Sequence, residues 1–80
     1  MTEPEQKLQA AFREALDLGA DVDVATLTYR GIAQWDSVAH MQLVSTIETA
    51  FDLMLDTDDV IGMSSYDKAK EIVRKYGVAL

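Results

Sequence analysis

Eighty residues without a cysteine, fourteen of them acidic and seven basic for a net charge of −7, limit what this chain can be. A chain so short buries only about 60% of the surface its unfolded form exposes, so a deep catalytic pocket is not expected, and without a thiol there is no disulfide, thiolate metal site or cysteine nucleophile. The charge repels nucleic acid and anionic membranes. No apolar run is long enough to span a bilayer, and the opening MTEPEQK has neither the basic start nor the apolar stretch of a signal peptide. The expectation is one cytoplasmic, monomeric domain over residues 1–80, with a helical apolar core and no membrane insertion.

Thr2-Glu3-Pro4-Glu5 reads as a helix start. Thr2 can cap, Glu5 completes a capping box, and proline is tolerated in a first turn. Leu8, Ala11, Phe12, Ala15 and Leu16 follow at helical spacing, and Gly19 offers a left-handed stop. From Gly19 to Gln34 the period is lost, which predicts a long loop anchored by Val22, Leu27 and Ile32. Loops of that length in small domains usually carry a function or belong to a specific fold.

A second helix is predicted from Asp36-Ser37 to about Phe51. Met41, Val44, Ile47 and Phe51 lie on one stripe, widened by Leu43, while Gln42, Ser45, Thr46 and Thr49 face away. Val38 falls off the stripe, so it is either packed under the preceding loop or offered to a partner. Thr57-Asp58-Asp59 then reads as a cap with acids in the first turn of a helix that must end by Gly62. A last helix from Ser64 or Ser65 buries Ala69, Ile72, Val73 and Tyr76 and stops at Gly77, with Arg74 and Lys75 at its negative end. The fold class is all-α, four helices with the third short.

Charge is uneven: no lysine or arginine lies between Arg30 and Lys68, an interval holding Asp36, Glu48, Asp52, Asp56, Asp58, Asp59 and Asp67. By itself this is a solvated acidic face. Asp56, Asp58 and Asp67 fit three places of a calcium loop, but Val60 and Ile61 stand at the fifth and sixth, the latter needing glycine, and the match fails. His40, three residues after Ser37, suggests a Ser-His pair. A hydrolase would also need an orienting acid, oxyanion donors and a dry cavity, so His40 is read as simply exposed. Ser37 itself is either a helix cap or a point of covalent attachment. A phosphate there would sit at the positive end of a helix dipole.

The run Trp35-Asp36-Ser37-Val38, followed by Met41, Leu43, Val44, Ile47, Glu48 and Phe51, then Leu55, Asp58-Asp59-Val60 and Met63, resembles the acyl carrier protein family. It is most similar to the discrete bacterial carriers whose attachment motif is D-S-[LVM]. Helix one, the long loop and the closing Ser-Tyr-x-x-Ala-x-x-Ile helix correspond as well, so the resemblance covers nearly the whole chain. It implies a four-helix bundle of acyl-carrier-protein type, with a long loop between helices one and two. It also implies that a phosphopantetheinyl transferase attaches 4′-phosphopantetheine from coenzyme A to Ser37, with Asp36 and Trp35 beside the attachment point. The thiol of that arm would carry acyl or aminoacyl groups as thioesters from a loading ligase or acyltransferase to a downstream synthase or transferase. The carrier would then be a substrate of its partners and not an enzyme, which suits the missing cysteine.

By the same resemblance the partner-binding face comprises Val38, Met41, Glu48, Asp52, Asp58 and Asp59. Ala39, Gln42, Thr49 and Ala50 stand where acids are common in fatty-acid carriers, which implies less electrostatic steering and a specialised pathway: polyketide, peptide-hybrid, lipid or sugar-modifying. Trp35 departs from the family pattern; it either closes the loop over the core or touches the arm. Met41, Met54 and Met63 either fill the core or leave room for cargo. The rival expectation is an unmodified helical adaptor that binds a protein through its acidic face.

Overall fold

In the computed structural model, which describes residues 2–80, Thr2 caps the first helix as its sequence predicts: extended backbone, with Oγ1 accepting from the Glu5 N–H at 3.3 Å. The reciprocal half of the capping box is replaced. The Glu5 carboxylate turns instead to Lys70, 3.1 Å away, and to the Tyr66 hydroxyl, linking the two ends of the chain. Helix α1 runs Glu3–Leu16 and buries Leu8, Ala11, Phe12 and Leu16.

The stop of α1 is Asp17, not Gly19. Asp17 adopts the left-handed conformation (φ 54°) and its N–H, like that of Leu18, returns to the Arg13 carbonyl. Aspartate tolerates this region better than most residues with a Cβ. Stopping there brings Leu18 back against the core. The long connection is real but is not featureless. A 3₁₀ turn, Val24–Thr26, capped by Asp23, buries Val24. Leu27 is buried beside it, whereas Val22 and Ile32 are only partly covered. The loop is then sewn to the far end of the chain by an antiparallel bridge between Thr28 and Ser65, with Tyr29 N–H donating to the Ser64 carbonyl and Tyr66 N–H to that of Leu27.

Helix α2 spans Ser37–Phe51 and ends as α1 does, on a left-handed aspartate, Asp52, followed by a leucine whose N–H bonds back to the Glu48 carbonyl. Helix α3 is short, Thr57–Gly62, and starts from Asp56, one residue before the predicted cap. Helix α4, Tyr66–Lys75, is capped by the Ser65 hydroxyl and buries Tyr66, Ala69 and Val73; Ile72 and Tyr76 are half-buried, and Gly77 takes the left-handed position that ends it. Among the described residues there are thus four α-helices and no strand, and none of the helices is long and apolar enough to cross a membrane.

All of these elements share one core. Phe12 is its hub, edge-on to Trp35 (centroids 5.4 Å apart) and to Tyr66 (5.3 Å). Leu43, Val44 and Ile47 complete it from α2, the helix packed most extensively on α1. The predicted stripe of α2 is therefore buried at Leu43, Val44 and Ile47 but not at its two ends. Met41 is exposed and Phe51 only half-covered. The sequence of α2 is apolar on several sides, which leaves its period weak.

Candidate functional site

Asp36, not Ser37, caps α2. Its backbone is extended and its carboxylate accepts from the Ala39 N–H at 2.9 Å. That leaves Ser37 as the first residue inside the helix, with a solvent-exposed hydroxyl free of capping duty. The Ser37 Oγ is nevertheless engaged. It lies 3.1 Å from the Tyr29 hydroxyl and accepts from Arg30 Nη2 at 3.3 Å, while Arg30 Nε donates to the same Tyr29 hydroxyl, also at 3.3 Å. Arg30 reaches this position from left-handed backbone (φ 62°), held by its own N–H on the Trp35 carbonyl and by a turn closed from Gly31 N–H to the Thr28 carbonyl. The hydrogen bond with Ser37, and secondarily that from Arg30, holds the Tyr29 phenol below its ordinary pKa. The phenol, through that same contact, raises Arg30.

Immediately beside Ser37 opens an apolar pocket of about 350 Å³, walled by Tyr29, His40 and Met41 on one side and by Val60, Ile61 and Met63 on the other. Two methionines named from the sequence, Met41 and Met63, line it; Met54 lies elsewhere and is exposed. His40 is half-buried and braces the wall. Its Nδ1 accepts from the Trp35 indole at 3.0 Å, so Nε2 carries the ring hydrogen and donates to the Val60 carbonyl at 2.8 Å. Its only unprotonated nitrogen, Nδ1, is taken by the indole N–H, so that hydrogen bond would have to break before the ring could serve Ser37 as a base.

The remaining predicted residues separate into two groups. Val38 is 70% exposed at the start of α2, which excludes packing under the loop, and Met41 is exposed at the pocket lip. Asp52 and Asp58 face solvent. Glu48 and Asp59, by contrast, do not belong to an open acidic face. Glu48 turns to the α2–α3 connection and accepts from the Leu55 N–H at 2.9 Å. Asp59 is buried, taking hydrogen bonds from Lys75 (2.5 Å) and the Tyr76 hydroxyl (2.6 Å), which hold its carboxyl below the ordinary range. Trp35 is fully buried against Phe12, closing the loop over the core, and it meets the site through His40, through the edge-on Tyr29 ring 6.2 Å away and through its carbonyl, which accepts the Arg30 N–H.

Tyr29 and Arg30 were not among the residues singled out for the site. Their one sequence signal is that Arg30 is the sole lysine or arginine between Arg13 and Lys68. Among the described residues no cluster of three or more histidine or carboxylate side chains suits a metal ion. Compared with protein-family models, with curated proteins and with solved structures, the chain matches none.

Proposed function

We propose that this protein is an acyl carrier and that Ser37 is the point at which 4′-phosphopantetheine is attached. The observation that carries the reading is the division of labour at the start of α2: Asp36 supplies the cap, and the adjacent Ser37 keeps an exposed hydroxyl at the mouth of an apolar pocket. A serine needed only for capping would stand one residue earlier.

The residues present suit such an arm. In the transfer, Ser37 Oγ attacks the phosphorus of coenzyme A that bears pantetheine, the phosphoanhydride bond breaks, adenosine 3′,5′-bisphosphate leaves, and the hydroxyl proton passes to a base on the transferase. The attached group supplies a terminal thiol able to hold an acyl or aminoacyl group as a thioester. The chain's own part is to present the hydroxyl, to offer Val38 and Met41 as apolar contacts for the transferase, loading and synthase partners, and to provide a pocket lined by Met41, Val60, Ile61 and Met63. With Glu48 and Asp59 turned inward, Asp36, Asp52 and Asp58 are the acids of this set left to steer those partners, a sparse array suited to a specialised pathway.

The test is the intact mass after incubation with coenzyme A and a broad-specificity phosphopantetheinyl transferase. One phosphopantetheine is expected on the wild type and none on Ser37→Ala. A folded wild type that gains no mass while a control carrier is modified in the same tube would reject the reading and leave an unmodified adaptor, for which the exposed Val38 and Ile61 provide an apolar face.

A further inference from the structure

Arg30 is the one cation beside Ser37; it lies over the Tyr29 ring, 5.5 Å from its centroid, and feels the charge of Asp36 without pairing with it. Between Arg13 and Lys68 the chain has no other lysine or arginine, and among the described residues Arg30 makes no ion pair with a carboxylate. Its guanidinium instead spans two neutral hydroxyls, Nη2 on Ser37 Oγ and Nε on Tyr29 OH, with the two oxygens themselves 3.1 Å apart. This spends a permanently charged fork on weak acceptors. The same fork has the geometry that takes two oxygens of a phosphate in parallel, with charge-assisted bonds roughly twice as strong as neutral ones. The position is also maintained against local preference. A left-handed backbone is disfavoured at a residue with a Cβ, and here it is held by Arg30 N–H on the Trp35 carbonyl.

We infer that Arg30 and Tyr29 are positioning residues that clamp the phosphodiester formed on Ser37, Arg30 through Nε and Nη2 and Tyr29 through its hydroxyl, so that the arm leaves Ser37 along the Tyr29 wall of the apolar pocket. The inference rests on Ser37 being the attachment point. Tyr29 belongs to both parts of the site: its hydroxyl meets Ser37 and its ring lines the pocket, edge-on to His40 at 5.2 Å. Once the phosphodiester replaces the Ser37 hydroxyl, the phenol is left as a donor and the guanidinium gains an anion in place of a neutral oxygen. A phosphate held in this way turns with the protein instead of swinging freely. The clamp thereby decides where cargo spends its time, in the pocket or in solvent, without contacting the cargo.

The experiment is phosphorus NMR on the enzymatically loaded protein, with the load verified by intact mass, in wild type, Arg30→Gln, Arg30→Lys and Tyr29→Phe, each shown to be folded by its amide spectrum. In wild type the phosphodiester line should have the width and relaxation of a rigidly attached group. It should narrow several-fold in Arg30→Gln, narrow less in Arg30→Lys, which keeps the charge without the fork, and narrow partially in Tyr29→Phe. A Lys7→Gln control, which removes a surface charge lying over Phe51 at the opposite end of α2 from Ser37, should leave it unchanged. Loaded proteins with the same line width in wild type and in Arg30→Gln would overturn the clamp while leaving the attachment reading standing. No mass gain on the wild type would overturn both.

Discussion

The Trp35 indole and the His40 imidazole form one unit: the buried N–H of the first donates to Nδ1 of the second across 3.0 Å, with the two rings stacked at 21°. Replacing His40 by alanine leaves that indole N–H without a partner in a fully buried side chain and releases the Val60 carbonyl as well. A loss of about 1–3 kcal/mol is expected, read from urea unfolding. A variant as stable as the wild type would mean that water satisfies the indole.

Asp36 and Ser37 should separate cleanly when each is changed to alanine. Asp36→Ala removes the capping bond to Ala39 and should cost about 1 kcal/mol, measured as a drop in the denaturation midpoint. Ser37→Ala touches only exposed hydrogen bonds and should stay within roughly 0.5 kcal/mol of wild type while abolishing attachment of the arm. Equal destabilisation by the two would show that the serine shares in capping after all.

Asp59 gives stability a defined dependence on acid. Hydrogen bonds from Lys75 and then Tyr76 depress its pKa in the folded protein, so its contribution is complete above the unfolded value, about 3.9, and drains away as pH falls through that value to the folded one. The gap in Tm between wild type and Asp59→Asn should hold steady from neutral pH to about 5 and shrink below about 4. Lys75 and Tyr76 are raised by the same contact. Their share is complete below their unfolded values and is lost as pH rises through the folded ones, which adds an alkaline limb to the same gap. A gap independent of pH would contradict the ion pair.

Val38 is exposed and off the core, so Val38→Asp should change stability by no more than roughly 0.5 kcal/mol. If it is an apolar anchor for the transferase, kcat/KM for arm attachment should fall roughly tenfold or more, the ~1.4 kcal/mol scale of a central interface contact. An unchanged rate would move the docking surface elsewhere.

Helices α1 and α4 were legible because their apolar residues fall on one face: Leu8, Phe12 and Leu16 in the first, Ala69 and Val73 in the last, each opened by a hydroxyl cap. In α2 the stripe was right at Leu43, Val44 and Ile47 and too wide at its ends, because Met41 and Phe51 are apolar without being fully buried, and the buried Trp35, which lies before the helix begins, takes a place in the core. Periodicity also gave no reason to look for a stop at Asp17 two residues ahead of a glycine. At the site, the helix start at Asp36-Ser37 could be read from local chemistry, though which of the two caps it was settled only by the extended backbone of Asp36. Tyr29 and Arg30 could not, because what brings them to Ser37 is a folded loop pinned at Thr28 to Ser65, a long-range pairing with no signature in spacing. The inward contacts of Glu48 and Asp59 were hidden for a related reason: an acid on a helix looks like surface until its partner, here the Leu55 amide or Lys75, is known.

Helix α3 has one further property that follows from how it is held. Asp59 is the only residue buried within it, and between the flanking core residues Leu55 and Met63 the helix is fastened largely by directional bonds: His40 to the Val60 carbonyl, Asp59 to Lys75 and Tyr76, Glu48 to the Leu55 amide and the Asp56 amide to the Tyr76 hydroxyl. Segments fastened by few buried apolar contacts open at a fraction of the free energy of global unfolding. The amides of α3 should accordingly exchange with deuterium ahead of those of α2. Because Val60 and Ile61 line the apolar pocket, local opening of α3 would widen the space beside Ser37 without displacing Phe12, Trp35 or Tyr66 from the core.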